Sequence, residues 1–308
     1  MRKQTKCIML FVLVSALSIV NSRALQAELM FTTTYDATVD AAAQTRINEV
    51  LAGYSTLFSD NVNVSLKFKN SGNGLGTSST YSFSSSYQEF YGALVADSSS
   101  FNDSVALANL PGGANNPVNA TPTIYQGRPG WAALGINIDV SGIANYFDGE
   151  IDLNLGIMNY DRIAIDPNKY DLQAVTQHEV NEVLGIISNI KNADPRPIDL
   201  FRYTAAGDRT FTTAGDDAYF SIDGTTQLAR FNQDGGGDYG DFWSANGGNI
   251  PQVQDAFSTP GATPNMNAEL VMLDVVGWNR ISSVPEPSAA AVVGLLSGIL
   301  AIRRKRKS

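Results

Sequence analysis

Apolar residues in the central part of the chain recur at two spacings, one typical of helices and the other typical of half-buried strands. Helical spacing is present in five segments, which are 36–57, 87–96, 102–110, 172–184 and 268–276. Alternating spacing predicts strands at 61–69, 149–155, 210–213 and 218–222. The polar segment 70–86 is expected to be a long loop or an irregular edge, and 111–130 a link. This order predicts an α+β fold, with a twisted sheet in an N-terminal lobe and an irregular C-terminal lobe that ends in a helix.

Both ends of the chain have the composition of targeting segments. Residues 1–27 combine a basic start, an apolar run and small residues, which predicts a secretory signal peptide, with a retained amphipathic anchor as the alternative. Residues 281–308 contain the motif Pro285-Glu286-Pro287, an apolar stretch of fourteen residues and a basic cluster. A membrane span needs about 20 apolar residues, so this tail suits a sorting signal better than a permanent anchor. The remaining segment, 28–280, is expected to be the folded domain.

Charge and cysteine content exclude several classes of function. The chain has 21 Lys and Arg and 30 Asp and Glu, and nine of the basic residues but only one acidic residue lie in the two ends, so 28–280 has a net charge of −17. A surface of this charge repels phosphate backbones, which excludes nucleic acid as a partner. The single cysteine, Cys7, lies in the predicted signal peptide. The domain therefore has no disulfide, no thiol nucleophile and no thiolate metal ligand.

The helix at 172–184 carries the residues that point to chemistry. His178 is the only histidine of the chain, and Glu182 lies one helical turn later on the same face. In the metallohydrolase motif H-E-x-x-H, the first and fifth positions bind zinc and the glutamate at the second position is the general base. Here the fifth position is a carboxylate, which is also a zinc ligand. The sequence thus predicts His178 and Glu182 as metal ligands and Glu179 as the base; an ordinary helical histidine is the alternative.

Four segments of the domain resemble a group of metalloproteases that carry PEP-CTERM sorting tails, and the C-terminal motif resembles such a tail. These segments are 170–185, 198–203, 220–224 and 265–278. The group is in turn similar to the metzincins, a class of zincin-fold zinc proteases. The resemblance implies a zincin-like fold, with Met266 as the methionine of the turn below the metal or, alternatively, as a core residue. It also implies export, processing of the tail by an exosortase-type enzyme, and transient contact of the tail with the membrane.

The chain departs from the metzincin pattern at the third ligand, because Ser188 stands where that class has a histidine. A catalytic zinc normally has three protein ligands and a water, so another carboxylate is expected to complete the set. Asp194 and Asp199 are the near candidates. We expect Asp199, since it lies in a segment that carries the resemblance and is flanked by apolar residues; an N-cap or a partner of arginine is the alternative role. Tyr203 is a further candidate, for stabilising an oxyanion, unless it is a packed aromatic.

These observations predict a secreted or cell-surface metalloendopeptidase of a Gram-negative-type bacterium, associated with extracellular matrix. It would use Zn²⁺-activated water, with Glu179 as general base, to cleave a peptide or protein substrate. A catalytically silent zincin-fold protein with a binding or structural role in the matrix is the alternative. The Gly- and Asp-rich segment 234–241 is a candidate Ca²⁺ site because it offers several oxygen ligands, and a flexible surface loop is its alternative.

Overall fold

The computed structural model describes residues 28–215, 217–244 and 250–281. The predicted signal peptide, 1–27, lies outside these ranges, and so do all residues but the first of the predicted sorting segment 281–308. Among the described residues, no helix is long and apolar enough to cross a membrane.

Helices and short strands alternate through the described chain, as expected for an α+β protein. The strands, β1 to β12, are Met30–Tyr35, Asn63–Asn70, Gly76–Ser79, Phe83–Ser86, Thr123–Gln126, Gly149–Leu153, Met158–Asn159, Tyr170–Asp171, Arg202–Ala205, Asp208–Arg209, Tyr219–Phe220 and Ala229–Arg230. The α-helices, α1 to α6, are Ala41–Ser55, Tyr87–Asp97, Phe101–Asn109, Arg128–Ala133, Leu172–Leu184 and Ala268–Val275. The predicted α+β class is therefore confirmed, and all five predicted helices are present.

The main sheet has the strand order β1-β2-β6-β3. Its first three strands are parallel, and β3 is antiparallel to β6. Alternate side chains of β2, which are Val64, Leu66 and Phe68, are fully buried, as the alternation in the sequence predicts. Helices α1 and α5 pack against each other, α1 contacts β1, and α5 contacts β3 and β6. The sheet is thus the platform on which helix α5 lies.

The polar segment 70–86 is not a long loop but forms strands β3 and β4, and β3 lies at the edge of the main sheet, in agreement with the alternative of an irregular edge. The sequences Gly-Thr-Ser-Ser and Phe-Ser-Ser-Ser lack apolar alternation, and their side chains are half-exposed or exposed. Pairing with β6 and β5, and not burial, holds them in place. Similarly, the predicted link contains β5 and the start of α4. In the C-terminal part the predicted strand at 210–213 is absent, and the antiparallel sheet β10-β9-β11-β12 has strands of two to four residues.

Helix α5 has the limits that its capping residues predict. The carboxylate of Asp171 accepts a hydrogen bond from the Ala174 amide at 3.2 Å, and Gly185 adopts φ of 132° after the last turn. Such a positive φ strains any residue with a Cβ, which explains the glycine. The indole of Trp278 donates to the Leu184 carbonyl at 2.9 Å, so the end of the described chain closes on the end of this helix.

One cluster of buried apolar side chains runs from Leu29 to Trp278 and includes Phe220 and Phe231 of the C-terminal part. The two predicted lobes therefore share a core. Helix α5 lies within it, with ten of its thirteen residues buried. A helix that is buried almost all round must have its polar side chains paired, and this requirement shapes the site described below.

Strand β6 passes under helix α5 at Gly149, where there is no space for a side chain. A methyl group at this position would overlap the side chain of Val183 and press on Leu66. We expect Gly149→Ala to lower the free energy of unfolding by about 1–3 kcal/mol, the usual cost of overpacking a core. Denaturant titration measures this change. Gly142→Ala, where no atom lies within 4 Å of the added carbon, should change stability by less than about 0.5 kcal/mol. Equal effects of the two changes would contradict the packing described here.

Candidate metal centre

The ring of His178 is fixed in one orientation in the middle of α5. Its Nδ1 lies 3.0 Å from the carbonyl oxygen of Val253. A carbonyl can only accept a hydrogen bond, so Nδ1 carries the proton and Nε2 faces the other way. Nε2 lies 3.4 Å from Oδ1 of Asp241 and 3.7 Å from Oε1 of Glu182. A neutral imidazole held by Nδ1–H in this way presents the lone pair of Nε2 to a metal.

Three side chains form a group that could hold a metal ion. One ligand atom from each of His178, Glu182 and Asp241 lies within 4.8 Å of the other two, and both carboxylates are buried. Each of the three has an outer partner: the Val253 carbonyl for His178, the Ser78 hydroxyl for Glu182 at 2.6 Å, and the Gln254 amide for Asp241 at 3.1 Å. Outer partners of this kind orient metal ligands. The one-nitrogen, two-oxygen donor set fits a divalent cation, although nothing in it identifies zinc.

A chain of hydrogen bonds continues from Asp241 into the core. The side-chain oxygen of Gln254 accepts from the Asn181 amide at 3.2 Å, and Asn181 accepts from the Tyr54 hydroxyl at 2.8 Å. Asn181 and His178 are on the same helix, and Tyr54 belongs to α1. The position of Asp241 is therefore fixed relative to α5 by a fully buried polar network, which is strongly ordering when all its members are paired.

The segment that carries Asp241 is held by backbone pairing. The amide of Asn232 donates to the Asp241 carbonyl at 2.8 Å, and the Phe242 amide donates to the Gln254 carbonyl at 2.7 Å. The side-chain amide of Asn232 also donates to the carbonyls of Asp234 and Asp238. Because these two carbonyls accept hydrogen bonds from an NH₂ group, they fit the surface-loop alternative for 234–241 better than the candidate Ca²⁺ site. Within this segment, Asp241 is the residue that belongs to a group that could hold a metal ion.

Asp199 and Asp194, the third ligands expected from the sequence, are not in the group. Asp199 is completely buried, and its carboxylate accepts hydrogen bonds from the Ser188 hydroxyl at 2.6 Å and the Arg196 amide at 2.9 Å. It thus serves the turn that begins at Pro197. Asp194 accepts from the Asn189 amide at 2.9 Å. The expected ligand role of Asp199 is therefore wrong, because its apolar neighbours indicate burial but do not determine which group the carboxylate binds. Asp241 has the same kind of neighbours, Phe242 and Trp243.

The electrostatics of the site call for positive charge. Burial opposes protonation of His178, but the carboxylates of Asp241, Glu182 and Glu179 outweigh it and hold the pKa of the imidazole well above its usual value. Burial, and next the repulsion by Glu182, raises the pKa of Glu179. Burial likewise raises the pKa of Asp241 to about 7. A divalent ion bound by neutral His178 and two carboxylates would give a neutral centre and relieve this repulsion.

Glu179 lies next to the group but has a different environment. Its side chain is only 4% exposed and lines a cavity of about 60 Å³ together with His178, Gly76 and Asp255. The carboxylate lies against Gly76 so closely that a Cβ at this position would overlap it. Strand β3 thus forms one wall of the site, with Gly76 beside Glu179 and Ser78 bonded to Glu182. This contribution of β3 was missed because the segment 70–86 has no apolar pattern.

Two other residues chosen from the sequence, Met266 and Tyr203, do not line the cavity beside Glu179. Met266 is partly buried and packs against the hydrophobic core. Tyr203 is buried in the C-terminal sheet, where its ring stacks on Tyr219 and lies under the guanidinium of Arg209. Tyr203 is not among the residues that line the cavity. Its contacts fit the alternative of a packed aromatic residue.

The third position of the group can be tested with two aspartate variants. Asp241→Asn should weaken binding of Zn²⁺, or of another divalent ion that the site prefers, by more than about 100-fold, since outer partners alone contribute about 10–100-fold. Asp199→Asn should keep that affinity and instead lower the free energy of unfolding by about 1–3 kcal/mol, because it disturbs buried hydrogen bonds. Calorimetric titration of the metal and thermal unfolding measure the two effects. Loss of metal binding in Asp199→Asn alone would overturn the assignment.

Comparisons with known proteins give no independent indication of the function. No protein-family model, no curated protein and no solved structure matches this chain. The geometry of His178, Glu182, Asp241 and Glu179 is therefore the basis on which a function can be argued.

Proposed function

We propose that this protein is a zinc-dependent peptidase of zincin-like fold. The observation that carries the proposal is the arrangement around α5. A histidine with its Nε2 directed at two oriented carboxylates lies next to a buried glutamate, Glu179, in a cavity. Zinc at hydrolytic sites has three protein ligands, and this group supplies three. The combination of a three-residue group that could hold a metal with a buried carboxylate beside it favours a hydrolytic site over the catalytically silent alternative.

Each side chain has a distinct part in hydrolysis. His178, Glu182 and Asp241 would hold the ion, which supplies a Lewis acid that polarises a carbonyl and acidifies a water molecule. Glu179 is the general base: it accepts a proton from the attacking water and delivers it to the leaving amine. Its buried position suits this role, because burial and the neighbouring Glu182 already raise the pKa of its carboxyl. Ser78 and Gln254, which donate hydrogen bonds to Glu182 and Asp241, would orient these two carboxylates for the ion.

Strand β3 supports a peptide as the substrate. It is the last strand of its sheet, and one of its sides pairs with β6. An extended peptide can add to such an edge through main-chain hydrogen bonds, which would align it along the wall formed by Gly76 and Ser78. Three parallel strands, an antiparallel edge strand and helix α5 packed against the sheet are compatible with the zincin-like fold that the resemblance implies.

Loss of the base should separate binding from catalysis. We expect Glu179→Gln to bind about one zinc per chain, as the unchanged protein should, but to cleave peptides about 10²–10⁴-fold more slowly, the usual contribution of a general base. Mass spectrometry of the bound metal and an assay with a mixture of peptides measure the two quantities. Gly76→Ala should have the same phenotype, because its methyl group displaces the Glu179 carboxylate.

Gly142→Ala is the matched control and should retain both metal and activity. Metal-free protein, or metal-loaded protein without hydrolysis of any peptide, would favour the catalytically silent alternative. Undiminished hydrolysis by Glu179→Gln would refute the role assigned to this residue.

The proposed location is the cell surface or the extracellular matrix of a Gram-negative-type bacterium. The support comes from the composition of 1–27 and 281–308, and the net charge of the intervening domain suits an exported protein. Expressed in a bacterium with an exosortase-type enzyme, the chain should be found outside the cytoplasm and shortened at both ends. Fractionation with intact-mass analysis tests this, and replacing Pro285-Glu286-Pro287 by alanines should retain the tail. A full-length cytoplasmic protein would exclude this location.

A further inference from the structure

The cavity beside Glu179 contains a second buried carboxylate that the proposed reaction does not use. Asp255 lines this cavity with His178 and Glu179 and is only 4% exposed. Its Oδ2 accepts a hydrogen bond from the Gln252 amide at 3.0 Å. Its Oδ1 is buried and accepts no hydrogen bond from any of the described residues. A buried carboxylate oxygen without a donor is costly, so this atom needs a donor that the fold itself does not provide.

The backbone around Asp255 is held firmly, so the free oxygen is not a consequence of a loose loop. Asp255 forms a β-bridge with Phe242, and the Ala256 amide donates to the Phe242 carbonyl at 3.0 Å. The preceding Gln254 amide donates to Glu269 at the start of α6 at 3.0 Å. Glu269 also accepts from the Asn267 amide at 2.7 Å, so its own carboxylate is satisfied. The backbone that places Asp255 in the wall of the cavity is thus fixed by several bonds.

We propose that Asp255 binds an ammonium group of the substrate and thereby determines which peptides are accepted. This inference rests on the proposed peptidase function. An ammonium group supplies the missing hydrogen-bond donors and a compensating charge at the same time. Burial raises the pKa of Asp255 to about 6, which leaves the carboxylate ionised at pH 7.5. The net charge of −17 on 28–280 draws cations towards the protein in general.

The size of the cavity restricts the ligand to a small cationic group. A volume of about 60 Å³ holds a few water-sized groups, since one water needs about 10–15 Å³ on this measure. A primary ammonium group fits this space. It can come from the amino terminus of a peptide or from a lysine side chain, and both place their positive charge beside the residue assigned as the base. The two sources differ in the position of the cleaved bond relative to the ammonium group. Peptides that carry only one of the two groups can therefore distinguish them.

The test measures binding separately from hydrolysis. Zinc-loaded Glu179→Gln protein is titrated calorimetrically at pH 7.5 with short peptides in matched pairs: free against acetylated amino termini, and lysine against norleucine. We expect one of the two pairs to show binding about 10–100-fold tighter for the cationic member, the range of a charge-assisted hydrogen bond. With Asp255→Asn added, the affinities for the cationic and the neutral peptide should have a ratio within about twofold of unity. The reason is that Asn keeps the hydrogen bond from Gln252 but loses the charge.

The controls keep this inference distinct from the proposed function. Asp208→Asn removes an exposed aspartate of the C-terminal sheet and should leave the ratio unchanged. Retained zinc and an unchanged melting temperature show that Asp255→Asn is folded. Selective binding without hydrolysis by the unchanged protein would leave the inference standing and refute the peptidase. Hydrolysis with no preference for either cationic member, or a preference that survives Asp255→Asn, would overturn the inference and leave the peptidase standing.

Discussion

Burial of several carboxylates around one imidazole is the constraint on which the rest of the structure depends. Glu179, Glu182 and Asp241 lie within the influence of His178 inside the protein, where like charges are poorly screened. Such a group is stable only if His178, Glu182 and Asp241 are oriented by partners and if positive charge is available. The Ser78 hydroxyl, the Gln254 amide and the Val253 carbonyl are those partners. They come from strand β3 and from the C-terminal part, so the fold must bring both to helix α5.

What the sequence could predict was what short-range chemistry determines. The limits predicted for helix α5 agree with the structure because its capping residue, Asp171, and its terminating residue, Gly185, act on their immediate neighbours. The pairing of His178 with Glu182 follows from helical periodicity in the same way. Strand β2 was predicted because one of its faces is buried. In each case a few consecutive residues determine the local structure, so the sequence pattern is sufficient to predict it.

The features of the site that the sequence could not predict depend on contacts between segments that are distant along the chain. Asp241 reaches His178 only because its strand-like segment pairs with Asn232 and Gln254, and no local pattern encodes that meeting. For Asp199 the apolar neighbours correctly predict that the side chain is buried. They do not determine whether a metal or a turn provides the partners of its carboxylate oxygens. Strand β3 was expected at most as an irregular edge, because the residues that serve the site, Gly76 and Ser78, are small and give no apolar alternation. Local rules fail most often where residues are selected for a site and not for the fold.

Three consecutive residues tie the C-terminal part to the site in three different ways. The Val253 carbonyl orients His178, the Gln254 side chain orients Asp241, and Asp255 lines the cavity beside the base. Glu269 holds this segment by accepting from the Gln254 amide at the start of α6. A shift of the segment would therefore disturb ligand geometry and cavity shape together, and binding of an ion would in turn stabilise the segment. The irregular C-terminal part, with its very short strands, is kept in register by the polar contacts of the site as well as by the shared core.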